Sequence, residues 1–192
     1  FVVSDVASAL AQQPEALANY YDMLAKDAFG NFRQLIQDVT LSPVMGNYLN
    51  MLRNAAAIPS KGTSADENYA REIMQLFTIG LNYLNPDGSL VLDQTGQPIP
   101  TYSNTTIIQT ANVLTGWAYN STAASPSFTG SSADWYNPMM VYSTYHDVTQ
   151  KTLFSISPSS SPIVVPANGT AAADLKILLD ALVNHQNTGP FI

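Results

Sequence analysis

The stretch SADENYAREIMQLFTIGLNYL, Ser64 to Leu84, sets Asp66, Glu67, Arg71 and Glu72 within two helical turns and follows them with an apolar run that stops at Gly80. Ser64 and Glu67 stand in the S-x-x-E relation of a capping box, where each side chain satisfies a backbone N–H at a helix start. Glycine commonly ends a helix, so the spacing predicts one amphipathic helix closing at Gly80. On that helix Glu67 and Arg71 face each other, as do Asn68 and Glu72, whereas Glu67 and Glu72 diverge by about 140° and make poor paired catalytic carboxylates. The cluster reads as a helix start with a solvated face, or as an ionic joint between helices.

Working outward, the same period recurs. Pro14 suits a first helical position, and Ala16, Leu17, Tyr20, Tyr21, Leu24 and Ala28 mark one apolar face before Gly30. Asn31 can cap a helix carrying Phe32, Leu35, Ile36 and Val39, and Ser42-Pro43 opens a third. Further on, Ser103 or Asn104 caps a helix with Ile107, Ile108, Ala111 and Leu114 inward, and Thr170 caps a last one lined by Leu175, Leu178, Leu179 and Leu182. Between them, NPDGS and QTGQP flank LVLD, which predicts a small β-hairpin over 81–102. The Ser/Thr/Pro-rich stretches 118–145 and 155–170 read as long polar loops. The fold class is therefore mainly α: an irregular multi-helix domain segment over 1–192 with a hairpin insertion.

Composition narrows the functional classes. Fourteen acidic against seven basic residues give a net charge of −7, which opposes nucleic-acid binding, since phosphate contact needs Lys and Arg stripes. Only 11% of residues are charged, against about 25% in ordinary soluble domains, and neutral polar side chains replace them. No stretch is long and apolar enough to span a bilayer. The sequence has no Cys and two His, so a three-His or thiolate zinc site is excluded within it, and no cofactor motif is present. Asp87 and Asp93 resemble a weak calcium loop but lack its spacing and closing Glu, which favours plain turns.

A second constellation, YHDVTQKT, places His146, Asp147 and Lys151 within six residues. His146 could serve as a general base, although Asp147 would not orient it in an extended strand, where neighbours point to opposite faces.

Several stretches together resemble one family. LSPVMGNYLNML, DENYAREIMQLFTIGL, VLTGW, HDVTQKTL and LVNHQNTGPFI occur in the same order in the bacterial proteins grouped as domain of unknown function 1800. The resemblance implies an exported protein, secreted or held in the periplasm or at the cell surface, forming part of a larger α-helical domain and often encoded beside a sulfatase-like protein. It implies no established reaction. Its motif positions fall on Glu67, Asn68, Arg71 and Glu72, on Thr115, Gly116 and Trp117, on His146, Asp147 and Lys151, and on Asn184, His185 and Pro190, while Phe77 and Gln186 stand where some branches have His and Pro. It also favours the reading of Arg71 and Glu72 as a buried ionic joint.

Two functions compete at this level. One is non-catalytic: binding, or assembly at a surface or outside the cell, with a sulfatase-like protein, cell-envelope glycan or another copy as partner. Binding residues would be Glu67, Asn68, Arg71, Trp117, Lys151 and His185. The other is a hydrolase or glycan-modifying enzyme in which Glu72 or Asp147 supplies an acid or base, Arg71 holds an anionic group, His146 shuttles a proton and Trp117 or Trp135 stacks on sugar rings. That version requires His146 within reach of the helix cluster.

Overall fold

The computed structural model describes residues 1–4, 9–130 and 133–192. Helices dominate the described residues: α1 (Pro14–Asp27), α2 (Phe32–Leu41), α3 (Pro43–Tyr48), α4 (Asn68–Gln75), α5 (Asn104–Val113), α6 (Ala171–Val183) and α7 (Thr188–Phe191). Two small antiparallel pairs accompany them, β1 (Trp117–Ala118) with β2 (Met140–Val141), and β3 (Lys151–Ser155) with β4 (Pro162–Val165). No described helix is long and apolar enough to cross a membrane.

The expected caps mostly form. Asn31 Oδ1 accepts from Arg33 N–H at 2.8 Å, Thr170 Oγ1 from Ala173 N–H at 3.2 Å, and Ser103 and Thr106 exchange a reciprocal pair at the head of α5. The capping box at Ser64 does not. Asn54 takes the backbone of Asp66 instead, accepting its N–H at 2.8 Å and donating to its carbonyl at 3.0 Å. The helix therefore starts later, at Asn68, whose N–H is received by Asp66 Oδ1 at 2.8 Å. A tertiary contact claims the backbone groups that a local cap would have used.

α5 packs on α4, α6 and β3, and α2 packs on α1, α3 and α6, so α5 and α6 form the centre. Around them Tyr20, Ile36, Met45, Met51, Tyr69, Ile73, Met74, Leu114 and Leu178 are buried. Tyr69 keeps its hydroxyl partnered with Thr40 Oγ1 at 2.7 Å, which in turn donates to Ile36 O at 2.6 Å, and burial raises the phenol above its ordinary range. Three expected inward residues point out: Tyr21 and Ile108 are exposed because each sits beside rather than on the buried stripe of its helix, and Ala28 because α1 ends before it.

Both segments read as loops contain order. PIVV, with three consecutive β-branched residues in a Ser/Pro setting, forms β4 against β3, and Met140–Val141 pairs with Trp117–Ala118. Ser131 and Ser132, within the polar stretch 120–134, lie outside the described residues.

The hairpin expected over 81–102 is present as three limbs rather than two. Tyr83 donates its N–H to Ile99 O and accepts from Val91 N–H, while Ile99 N–H reaches Val91 O, so each limb bonds to the other two. Asp87 and Asp93 each close a turn: Asp87 Oδ1 accepts from the N–H and hydroxyl of Ser89, and Asp93 Oδ1 from Thr95 and Gln97. These hydrogen bonds hold both carboxyls below the usual range, led by Ser89 at Asp87 and by the Gln97 backbone at Asp93.

Candidate functional site

The buried charge of this protein lies away from the helix that dominates its sequence. Arg71 pairs with Glu67 at 3.0 Å, one turn apart, and both are well exposed, at 42% and 36%. A pair of that kind contributes less than about 1 kcal/mol. The expected buried joint at Arg71 and Glu72 is thus corrected: α4 turns Tyr69, Ala70, Ile73 and Met74 inward, which leaves positions 67, 68, 71 and 72 on its rim. Glu72 lines a cavity of about 550 Å³ with Phe1, Val2, Met45, Tyr48, Leu49, Leu76 and Phe77. Nearby, burial raises the Tyr102 phenol, with Arg71 pulling it down and Glu72 pushing it up.

The interior charges converge on α6 instead. Asp174 and Lys151, 1% and 0% exposed, meet at 2.8 Å through Oδ2 and Nζ. The same Oδ2 receives His146 Nε2 at 3.2 Å; a carboxylate only accepts, so Nε2 donates. Lys151 also donates to the Asp147 carbonyl and lies 3.6 Å from its Oδ1. On the other edge of the ring, His146 Nδ1 stands 3.0 Å from Thr115 O and 3.3 Å from Thr115 Oγ1, and that hydroxyl accepts from Asp147 N–H at 2.8 Å. The sequence argued that an extended backbone keeps Asp147 from orienting His146; the acid at His146 is Asp174, and Asp147 caps its own turn through Thr149.

Two glycines make this network possible. Gly116, at φ 87°, lets the turn after α5 pass so close to His146 that a Cβ there would stand 2.9 Å from the His146 Cβ and 3.0 Å from its backbone nitrogen. A Cβ on Gly169 would lie 2.1 Å from Asp174 Oδ1. Asp174 itself was missed in the sequence, although it falls on the buried stripe, three residues after Ala171 and four before Leu178.

The other expected binding residues are interior too. Trp117 is buried in β1 and Trp135 is buried edge-on to Tyr119 at 5.2 Å, so neither indole is a free stacking platform. His185 lies stacked on Tyr83 at 5.2 Å and edge-on to Phe154 at 5.7 Å. Its Nδ1 accepts from Asn187 N–H at 3.0 Å, which places the neutral ring's proton on Nε2, an atom buried without a hydrogen-bond partner. Burial lowers the His185 pKa to about 4, against a weaker opposing pull from the Ser155 backbone.

That shift has a sign. His185 titrates near 6.5 in the unfolded chain and near 4 in the folded one, so its stabilising contribution is full above pH 6.5 and is lost as pH falls toward 4. Urea unfolding at pH 7 and pH 4.5 should show His185→Phe losing about 2 kcal/mol less than the parent over that interval. Equal acid losses in both proteins would show that His185 does not carry the effect.

Asn187 is the second residue missed. Fully buried, it accepts from Leu84 N–H at 2.7 Å and donates to Ile79 O at 2.8 Å and Asn82 O at 2.7 Å, pinning the three-limbed hairpin to the helical body.

No hydrogen bond or ion pair joins His146 to Glu67, Arg71 or Glu72 among the described residues; the partners of His146 are Thr115 and Asp174. Nor do the described residues place three His, Asp or Glu together where they could hold a metal. Comparison with known proteins finds no match among curated proteins or among solved structures. A family model described as "Protein of unknown function (DUF1800)" matches residues 1–192. With that match running through the α4 rim, the Gly116 turn, the His146–Lys151 network and the His185–Asn187 corner alike, the chain belongs to the DUF1800 family.

Proposed function

We propose that this segment is a non-catalytic binding and assembly module of an exported protein, and that it docks a net-basic amphipathic segment of a partner polypeptide. The reading rests on Leu76. It is 59% exposed and forms a wall of three adjoining cavities of about 340, 330 and 550 Å³. Together the three are lined mainly by aliphatic and aromatic side chains, Phe77, Leu81, Leu84, Leu90 and Phe191 among them, with Glu72 the one acidic side chain in their walls among the described residues. A connected apolar surface of that kind marks an interaction site more often than an idle face.

Charge selects the occupant. A chain of net charge −7 with a lone carboxylate at the rim of an apolar groove favours a partner that brings leucine-like side chains together with Lys or Arg. Export agrees with the sparse charge and abundant neutral polar residues. The reading as part of a larger helical domain is compatible with the same face, which further helices could border.

Fluorescence anisotropy with an 18-residue Leu/Lys amphipathic helix tests the proposal, with a scrambled peptide of the same composition as control. The parent protein should bind the amphipathic peptide at least tenfold more tightly than the scrambled one, and Leu76→Asp combined with Leu81→Asp should remove that preference. Binding that ignores peptide pattern or survives both substitutions overturns it. A dimer in light scattering that Leu76→Asp dissolves would replace the basic partner with a second copy.

A further inference from the structure

We infer that the cleft where the α3–α4 connection turns back on itself is a binding site for a neutral polyhydroxylated ligand, a short stretch of glycan. The cavity is about 490 Å³, within the range of small-ligand clefts, and Asn47, Asn50, Arg53, Thr63, Ser64 and Asp66 supply its polar wall.

Its frame is rigid. Asn54 is buried and spends its amide on both backbone groups of Asp66, while its carbonyl receives Gly116 N–H at 2.8 Å. Asn50 and Arg53 both sit in the left-handed region, at φ 62° and 64°. For Arg53 that conformation is sparsely populated, and it persists because three anchors enforce it: its N–H donates to Trp117 O at 2.8 Å, its guanidinium lies 5.2 Å over the Tyr119 ring, and Nη2 donates to Gly130 O. Two non-glycine residues held this way within four positions fix the loop in one shape.

Its hydrogen-bonding capacity is unspent. Among the described residues the Asn47 amide has no hydrogen-bond partner, Asn50 uses only Nδ2, in a 3.3 Å contact with Asp66 Oδ2, and Ser64 Oγ makes no hydrogen bond. Thr63 Oγ1 accepts from Ile58 N–H and keeps its own proton to give. Arg53 Nε is buried without a partner.

The chemistry of that set names the ligand class. Amides and hydroxyls offer donors and acceptors side by side, which matches vicinal hydroxyl groups. One Arg and one Asp balance, so neither an anion nor a cation is preferred by the wall, and the surrounding net charge of −7 further disfavours anions. Leu52, Ala55, Ala56 and Ile58 complete the cleft with aliphatic surface suited to the C–H face of a sugar ring.

Calorimetry and saturation-transfer NMR with chitotriose, cellotriose and maltotriose, and with trigalacturonate as the anionic counterpart, test this. At least one neutral trisaccharide should bind, at least fivefold more tightly than trigalacturonate. Asn47→Ala combined with Asn50→Gly should weaken it tenfold or more at an unchanged Tm, since alanine suits α3 and glycine suits φ 62°. Leu76→Asp should leave it unchanged, which separates this site from the apolar face. Absence of binding by all three neutral sugars, parental affinity in the double variant, or tighter binding of trigalacturonate each overturns the proposal.

Discussion

Replacing Asp174 with alanine should destabilise the protein by about 3–5 kcal/mol, because it strands the Lys151 ammonium in a site with no solvent access and removes the acceptor of His146 Nε2. Of Lys151's acceptors, only the Asp147 carbonyl and a carboxylate oxygen at 3.6 Å remain. Melting should fall by roughly 10 °C for a chain of this size. The partner substitution gives the decisive comparison. Lys151→Met with Asp174→Leu removes both charges and fills similar volume, so the double variant should recover most of the loss. A double variant as unstable as Asp174→Ala would mean that shape around Gly169, rather than charge, sets the cost. Circular dichroism melts of the two variants beside the parent are sufficient.

The second large effect is expected at Asn187. Asn187→Ala leaves the Leu84 N–H and the Ile79 and Asn82 carbonyls without partners in a place where the side chain has no exposure. Unmade buried hydrogen bonds of this kind cost about 1–3 kcal/mol each, less whatever an entering water returns, so a net loss of about 3–4 kcal/mol is expected. Its location is as diagnostic as its size. Hydrogen exchange should accelerate first at Tyr83, Val91 and Ile99, whose mutual bonds tie the hairpin limbs together, while amides in α5 and α6 keep protection closer to the parent. Uniform acceleration across the whole chain would contradict the picture of Asn187 as a pin for one substructure.

The helical skeleton was legible because it is written in local chemistry. Asn31, Ser103 and Thr170 cap the helices they precede, and Leu175, Leu178, Leu179 and Leu182 keep the period that buries them. What could not be read depends on contacts between distant residues. Ser64 and Glu67 form a good capping box on paper, but Asn54 takes the Asp66 backbone and moves the helix start. Arg71 and Glu72 drew attention as a dense cluster, whereas the buried acid is Asp174, the one charged residue on the buried stripe of α6. A lone charge on a leucine stripe is a stronger sign of an interior ion pair than a crowd of charges at a helix start, since only the former must be desolvated for the helix to pack. His185 and Trp117 illustrate the converse. Both carry polar atoms and sit in shared family motifs, yet both are packed among rings and backbone, where His185 stabilises by staying neutral.

The pinning of the hairpin by Asn187 bears on how the polypeptide matures as it is made. The hairpin limbs are synthesised roughly a hundred positions ahead of the residue that fastens them, at separations of 103 to Leu84, 105 to Asn82 and 108 to Ile79. During elongation the segment up to Tyr102 can wind its helices but has nothing to clasp its hairpin. Until Asn187 has been made, the Leu84 N–H and the Ile79 and Asn82 carbonyls lack the partner that pairs them in the folded protein, so docking of the hairpin waits on a residue about a hundred positions downstream.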